Sequence, residues 1–220
     1  MKNEYINIIN YDMEMIKKLF KNKDYPWEVF PFLKEYILEM VSNLGNEYIE
    51  IKKNVFVDKD AKISPTALIV GPCVIGKNTE VRHNAYIREN VIIGNNCVIG
   101  NSSEVKNSII LENSKCPHFN YVGDSIVGEN VNLAAGVILS NVKNDNKNII
   151  IRYEDDLIDT GLRKFGSIVG DNVKVGCNSV ICPGTIIYPN TDIYPLVKVR
   201  GIIKKNRIVK DMDNIIEKNN

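Results

Sequence analysis

Only two histidines, His83 and His118, occur among the 220 residues. A neutral imidazole is the side chain best suited to take a proton from an attacking amine or hydroxyl near neutral pH. Two histidines are too few for a three-histidine zinc site, which directs attention to proton transfer rather than metal chemistry. A second feature is cationic: Arg88 and Lys106 stand eighteen residues apart, each directly after an aliphatic residue, and Lys164 follows later in the chain. Such a set suits a phosphate, which guanidinium and ammonium groups bind through charge-assisted hydrogen bonds. The five cysteines, Cys73, Cys97, Cys116, Cys177 and Cys182, form no CxxC pair and are odd in number. Neither a disulfide framework nor a zinc knuckle is indicated, and Cys73 and Cys97 read as small buried residues.

The elements that must position these groups follow from a period of six. Aliphatic residues recur at Val57, Ile63, Ile69, Ile75, Val81, Ile87, Ile93, Ile99, Val105 and Leu111, with a small residue usually two places earlier. Three hexads make eighteen residues, one triangular coil with a short strand on each side, so the spacing predicts a parallel β-helix whose coils bury one aliphatic column. Arg88 and Lys106 then occupy the same corner of adjacent coils, about 4.8 Å apart along the stack. Like charges that close need an anion between them, or relief from Glu89 or Glu104. Arg82 competes as a phosphate ligand but belongs to a different side of the prism, and His83 beside it reads as a solvated or subunit-facing corner residue. After Leu111 the phase slips, and the pattern resumes at Tyr121, Val127, Leu133 and Leu139. The segment SKCPHFNY is therefore expected to be an irregular corner, and it carries His118. Departures from a regular repeat are where sites are to be sought.

Residues 1–50 lack the hexad and read as a helical N-terminal cap. Helices are expected over Met13–Leu19 and Pro31–Leu44, with the aromatics of Tyr25-Pro26-Trp27 packed onto the first coil. Residues 48–56 lead into the stack as an edge strand. The β-helix is expected over 51–197, interrupted by an inserted loop at 141–167. Within that loop Ile149–Tyr153 and Leu157–Leu162 suit a hairpin with Glu154, Asp155 and Asp156 at its tip. The repeat restarts at Val169. Residues 198–220 read as a strand leaving the coil, then a short polar helix or frayed tail. With 28 Lys and Arg against 27 Asp and Glu, the formal charge is +1, which gives no basic face for nucleic acid. No apolar run approaches the ~20 residues needed to span a bilayer, and MKNEYINIIN lacks a signal-peptide pattern. The expectation is a cytoplasmic protein with no membrane or nucleic-acid partner.

The segments VRHNAYIRENVIIG, GNSSEVKNS, PHFNYVGDSIVGENVNLAAGVILSN and TGLRKFGSIVGDNVKVG resemble the hexapeptide-repeat acetyltransferase domain of the bifunctional enzyme that makes UDP-N-acetylglucosamine. The likeness is closer to archaeal-type sugar-phosphate relatives with a longer loop, and it covers roughly residues 55–197. It implies an all-β, left-handed parallel β-helix assembled as a homotrimer with sites between subunits. The implied activity moves an acetyl group from acetyl-CoA to the amine of glucosamine 1-phosphate, with no metal required. By the same resemblance His118 is the catalytic base. Arg88, Lys106 and Lys164 bind phosphate, and Tyr121, Asn132 and Asn141 bind substrate. Ala135, Cys177 and Pro195 lie along acetyl-CoA.

Two positions depart from that pattern. Val142 stands where the family has a tyrosine and Ala134 where it has a glycine, which puts sugar or acyl preference in doubt. The family's nucleotidyltransferase domain has no counterpart here, because residues 1–50 are too short and hold no Gly-rich phosphate loop. A separate chain could supply it. Other expectations are acetyl transfer to galactosamine 1-phosphate or a nucleotide-linked aminosugar, and a non-catalytic trimeric partner of a nucleotidyltransferase.

Overall fold

A computed structural model describes residues 8–10 and 14–218 of the chain. The hexads form the left-handed parallel β-helix expected of them, with three sheets of nine, seven and nine strands as its faces. In chain order the first face begins at Val55–Asp58, the second at Lys62–Ile63 and the third at Leu68–Ile69. Register is maintained from coil to coil: Ile69, Ile87, Val105, Val122, Leu139, Ile181 and Val199 form one inward column of the third face. All are buried, and each contributes about 1.5–3 kcal/mol on leaving water.

Corners are marked by residues with positive φ. Asn78, Asn84, Asn90, Asn96, Ser102, Asn107 and Asn113 take φ between 44° and 62°, a region that asparagine tolerates better than most side chains. The corners show where the period fails. From Ser102 to Asn107, from Phe119 to Asp124, and from Leu196 through Gly201 to Asn206, the step is five residues instead of six. The inward residues after Val105 are therefore Ile110, Cys116, Val122 and Val127. This corrects the expected slip after Leu111. Leu111 belongs to the outer core and Tyr121 is half-exposed, while Lys115–His118 is a strand in register with Val98–Asn101. Two aliphatic residues stand side by side at Ile110-Leu111, and the spacing alone could not say which points inward.

The first face is apolar on both sides. Phe56, Val74, Ile92, Ile109, Ile126, Ile168, Ile186 and Ile202 stand in one outward column. The helical segments Glu14–Phe20, Pro26–Phe32 (a 3-10 turn) and Leu33–Val41 lie over it, together with Ile149, Ile151 and Phe165 of the inserted loop. The N-terminal region is thus a side cover rather than an end cap, because the extra aliphatic residue on every third strand needs a partner. Trp27 stacks with Tyr25 and packs against Phe165, midway along the prism, instead of seating on the first coil. The expected first helix begins at Met13, which lies outside the described residues. The first coil is edged by the antiparallel strand Tyr48–Lys52. At the other end the coil does not stop at residue 197, since Lys198–Val199, Ile202–Ile203 and Arg207–Asp211 continue the three faces. The expected helical or frayed tail is a hairpin of Arg207–Asp211 with Asn214–Glu217; Asn219 and Asn220 lie outside the described residues. The insertion hairpin forms as Ile150–Tyr153 paired with Asp156–Asp159. Among the described residues no helix is long and apolar enough to cross a membrane.

The N-terminal cover is tied down at a corner by Asp171. Its N–H donates to Ile8 O at 3.1 Å, and its Oδ1 accepts the Glu129 N–H at 2.7 Å. Burial pushes the Asp171 carboxyl up to about 6, aided by the Glu129 charge and opposed by backbone N–H groups. Between about pH 4 and 6 the folded chain holds a proton that the unfolded chain has released, so this group makes stability fall as pH rises through that window. Asp171→Asn is expected to remove that contribution. Urea midpoints at about pH 4.5 and pH 7 should therefore differ less in the variant's favour at the lower pH, with its gain largest at neutrality.

Candidate active site

Two groups of predicted site residues emerge, on opposite edges of the third face. The edge between the third and first faces carries the cations. Glu104 pairs with Tyr86 and Val105 with Ile87, which sets Lys106 beside Arg88 in the next coil, as the eighteen-residue spacing requires. Arg88 Nη1 donates to Glu104 at 3.1 Å, and its Nε lies 3.7 Å from Glu89. Both expected sources of relief are therefore present. Arg88 Nε is buried without a hydrogen bond among the described residues, its charge relieved by Glu89.

Behind Lys106 lies Asp124, only 4% exposed. Its carboxylate is 3.9 Å from Lys106 Nζ, accepts Asn107 Nδ2 at 2.7 Å and also accepts Asn141 Nδ2. The Tyr121 hydroxyl is 3.4 Å from Asn141 Oδ1, and burial, with the Asp124 charge, pushes its phenol up. Gly123 makes this possible: a Cβ there would meet the Tyr121 ring at 2.8 Å and Asn141 Nδ2 at 2.9 Å. The inserted loop returns at this edge. Lys164 pairs with Val142 in an antiparallel bridge, Phe165 N–H donates to Asn141 O at 3.0 Å, and Gly166 N–H donates to Asp124 O at 2.9 Å. Arg88, Lys106, Tyr121, Asn141 and Lys164 thus belong to one neighbourhood, with Glu104 as the anticipated counter-charge and Asp124 as a member the sequence reading did not select. The signal for Asp124 was available in the short step to Val127, which turns the corner one residue early.

His118 stands on the opposite edge, between the second and third faces. Its side chain is exposed, 6.4 Å from the Phe119 ring between centroids, and makes no hydrogen bond among the described residues. The backbone beneath it is fixed by Asn120, 2% exposed, whose Oδ1 accepts the His118 N–H at 3.1 Å and whose Nδ2 donates to Ala134 O at 2.8 Å. Asn120 occupies the slot two before an inward aliphatic, where Ser103, Ser108 and Ser114 stand elsewhere, and that unusual residue type was a legible sign.

From His118 a ladder of backbone bonds runs along the edge. Gly136 N–H donates to His118 O at 3.0 Å, Asn178 N–H to Ala135 O at 2.9 Å, and Leu196 N–H to Cys177 O at 2.9 Å. His118, Ala135, Cys177 and Pro195 consequently form one column, adjacent members about 4.8 Å apart. Cys177 is exposed, and the small side chains of Ala135 and Cys177 leave an open strip. Asn132 lies on the second face between Lys115 and Lys174, apart from Asn141. His83 sits two coils before His118, its Nδ1 2.7 Å from Thr66 Oγ1. Arg82 pairs with Glu80 on the second face, away from Arg88.

This chain is 38% identical over 163 residues to the bifunctional sugar-1-phosphate nucleotidylyltransferase/acetyltransferase of Sulfurisphaera tokodaii, covering 72% of this chain and 41% of that protein. It is 32% identical over 172 residues to the bifunctional protein GlmU of Methanococcus maripaludis, covering 77% and 42%. With the GlmU of Acetivibrio thermocellus it shares 38% identity over 137 residues, 60% of this chain and 22% of that protein. The chain therefore spans less than half the length of these relatives. The profile of the GMPPB C-terminal domain family matches residues 69–203, from the first inward residue of the third face to the last of the first. By that match, which covers more than half of its residues, the chain belongs to the GMPPB C-terminal domain family.

Proposed function

We propose that the protein is a CoA-dependent N-acetyltransferase acting on an amino-sugar 1-phosphate, with glucosamine 1-phosphate as the leading acceptor, and that it works as a homotrimer. The observation that carries this reading is the division of the site. A cationic edge with Arg88 and Lys106 stacked in adjacent coils and a histidine edge with an open strip are the two halves such a transfer needs. They stand at opposite sides of one face. The first face is already covered by the N-terminal helices, so the third face of one subunit is free to meet the second face of another. The reading requires one subunit's His118 to meet its neighbour's Arg88 and Lys106. Relatives with acetyltransferase in their names support the chemistry.

In this mechanism Arg88, Lys106 and Lys164 hold the 1-phosphate and so fix the amine in position. Tyr121 and Asn141 bind the sugar beside it, and Asn132 contributes from the histidine half. The acetyl-CoA arm lies along Ala135, Cys177 and Pro195. As the amine attacks the thioester carbonyl, His118 takes its proton and a backbone N–H stabilises the oxyanion. Collapse forms the amide and expels the CoA thiolate, which receives the proton.

A second reading is a non-catalytic partner of a nucleotidyltransferase. It is favoured by the family match, whose description names a C-terminal domain without naming acetyl transfer. Free-thiol release from acetyl-CoA separates the two. Release with glucosamine 1-phosphate is expected. Release only with galactosamine 1-phosphate or a nucleotide-linked aminosugar would reassign the acceptor. No release with any of them, alongside a stable complex with a nucleotidyltransferase, would overturn catalysis.

A further inference from the structure

The inserted loop is long, and its two ends meet at the anion-binding edge through few bonds: the Val142–Lys164 bridge, Phe165 N–H to Asn141 O, and Gly166 N–H to Asp124 O. A long flexible loop closes at an entropic cost, so something must hold its returning strand. Phe165 is fully buried. Its ring centroid lies 5.7 Å from that of Trp27 and 5.8 Å from that of Phe30, at tilts of 37° and 43°. Tyr25 stacks on the far side of this group, 4.6 Å from Trp27 at 6°. On the other side of the backbone, Gly184 N–H donates to Phe165 O at 3.2 Å. Phe165 is therefore gripped by rings from the N-terminal segment, while its own backbone holds Asn141 and its predecessor is Lys164.

We infer that Trp27 and Phe30 are positioning residues for the acceptor half of the site, seating Phe165 so that Asn141 and Lys164 are held beside Lys106. This rests on the acetyltransferase reading for its kinetic consequence but not for its mechanical one. The contact joins the N-terminal helical cover to the site, so the cover has a role beyond shielding the first face. Gly166 marks how tightly the returning strand is seated, since a Cβ there would collide with Gly123 O and Ser125 Oγ. The strip from Ala135 to Pro195 is held by coil-to-coil backbone bonds that do not involve the loop, so the two substrates should respond differently.

Trp27→Ala is expected to raise the KM for the amino-sugar phosphate about tenfold, as for a displaced positioning group, while the KM for acetyl-CoA stays within about twofold. Trp27→Phe should recover most of the loss, because an aromatic ring still reaches Phe165. Hydrogen exchange supplies a readout independent of turnover. Peptides covering 141–144 and 163–167 should exchange faster in Trp27→Ala, with those covering 104–106 and 121–123 unchanged. Unchanged exchange at 163–167 would overturn the inference, as would faster exchange throughout the stack with both KM values rising together. If the native protein releases no thiol with any acceptor, the proposed function fails, and exchange alone still decides whether Trp27 seats the loop.

Discussion

Replacing His118 with alanine is expected to lower kcat for acetyl transfer by about 10²–10⁴-fold, with the KM for the amino-sugar phosphate changed far less. The magnitude is that of a general base removed from an otherwise assembled site. His118 suits the role because its imidazole is exposed and uncommitted, whereas the backbone below it is fixed by the buried Asn120. The ring can meet a substrate without first breaking a protein hydrogen bond. His83, the other histidine, lies two coils from His118 and is engaged with Thr66, so His83→Ala serves as the control and should leave kcat nearly unchanged. Initial rates of thiol release at saturating acetyl-CoA and acceptor measure both. A His118→Ala enzyme with native kcat would remove the residue from the chemistry.

Mixing two inactive variants is the second large effect. If each site takes His118 from one subunit and Lys106 from the next, His118→Ala and Lys106→Ala chains refolded together at equal amounts should regain activity at about a quarter of the sites, by random assortment in a closed ring. Either variant alone should be nearly silent, the second because the phosphate loses its ammonium partner and the amine its placement. The prediction follows from the separation of the two edges. His118 ends a strand of the second face, Lys106 ends a strand of the third, and the strand Tyr121–Gly123 lies between them. Recovery absent at every mixing ratio, with mixed trimers verified by mass, would require both residues of a site to come from one chain.

The covered first face leaves the other two for the proposed subunit interface. Its outward column, from Phe56 to Ile202, is covered by the N-terminal segment and by Phe165, Ile149 and Ile151. Some strands on this face carry three apolar residues in a row, as in Cys73–Ile75 and Val91–Ile93, the pattern of a strand buried on both faces. That pattern was present in the sequence beside the hexads. It was masked because a period of six rewards one inward aliphatic per side and gives no weight to a second on the outside.

Much of the site was legible for the same reason that the fold was. A stacked coil keeps residues eighteen apart in contact, so the spacing of Arg88 and Lys106 fixed their pairing without any knowledge of tertiary structure. The alignment of His118 with Ala135, Cys177 and Pro195 was harder to see. A five-residue step and an inserted loop separate these positions, and only the hydrogen-bonded register restores the column. His118 itself was singled out as part of an irregular corner, yet it ends a regular strand. The irregular steps flank its coil, at Asn107 and at Asp124.

The sequence by itself determined the β-helix, the place of the insertion, the pairing of the two cations and the identity of the histidine worth testing. These are properties of a repeat, in which local spacing and three-dimensional neighbourhood coincide. The tertiary structure alone decided which residue of Ile110-Leu111 turns inward, that the N-terminal helices lie on a side rather than an end, and that Trp27 grips Phe165. It also decided that Asp124, buried beneath Lys106, organises Asn107 and Asn141, while Asn132 stands apart on the second face. Such contacts join segments whose separation in the chain has no fixed period, and there packing and hydrogen-bond satisfaction choose the partner.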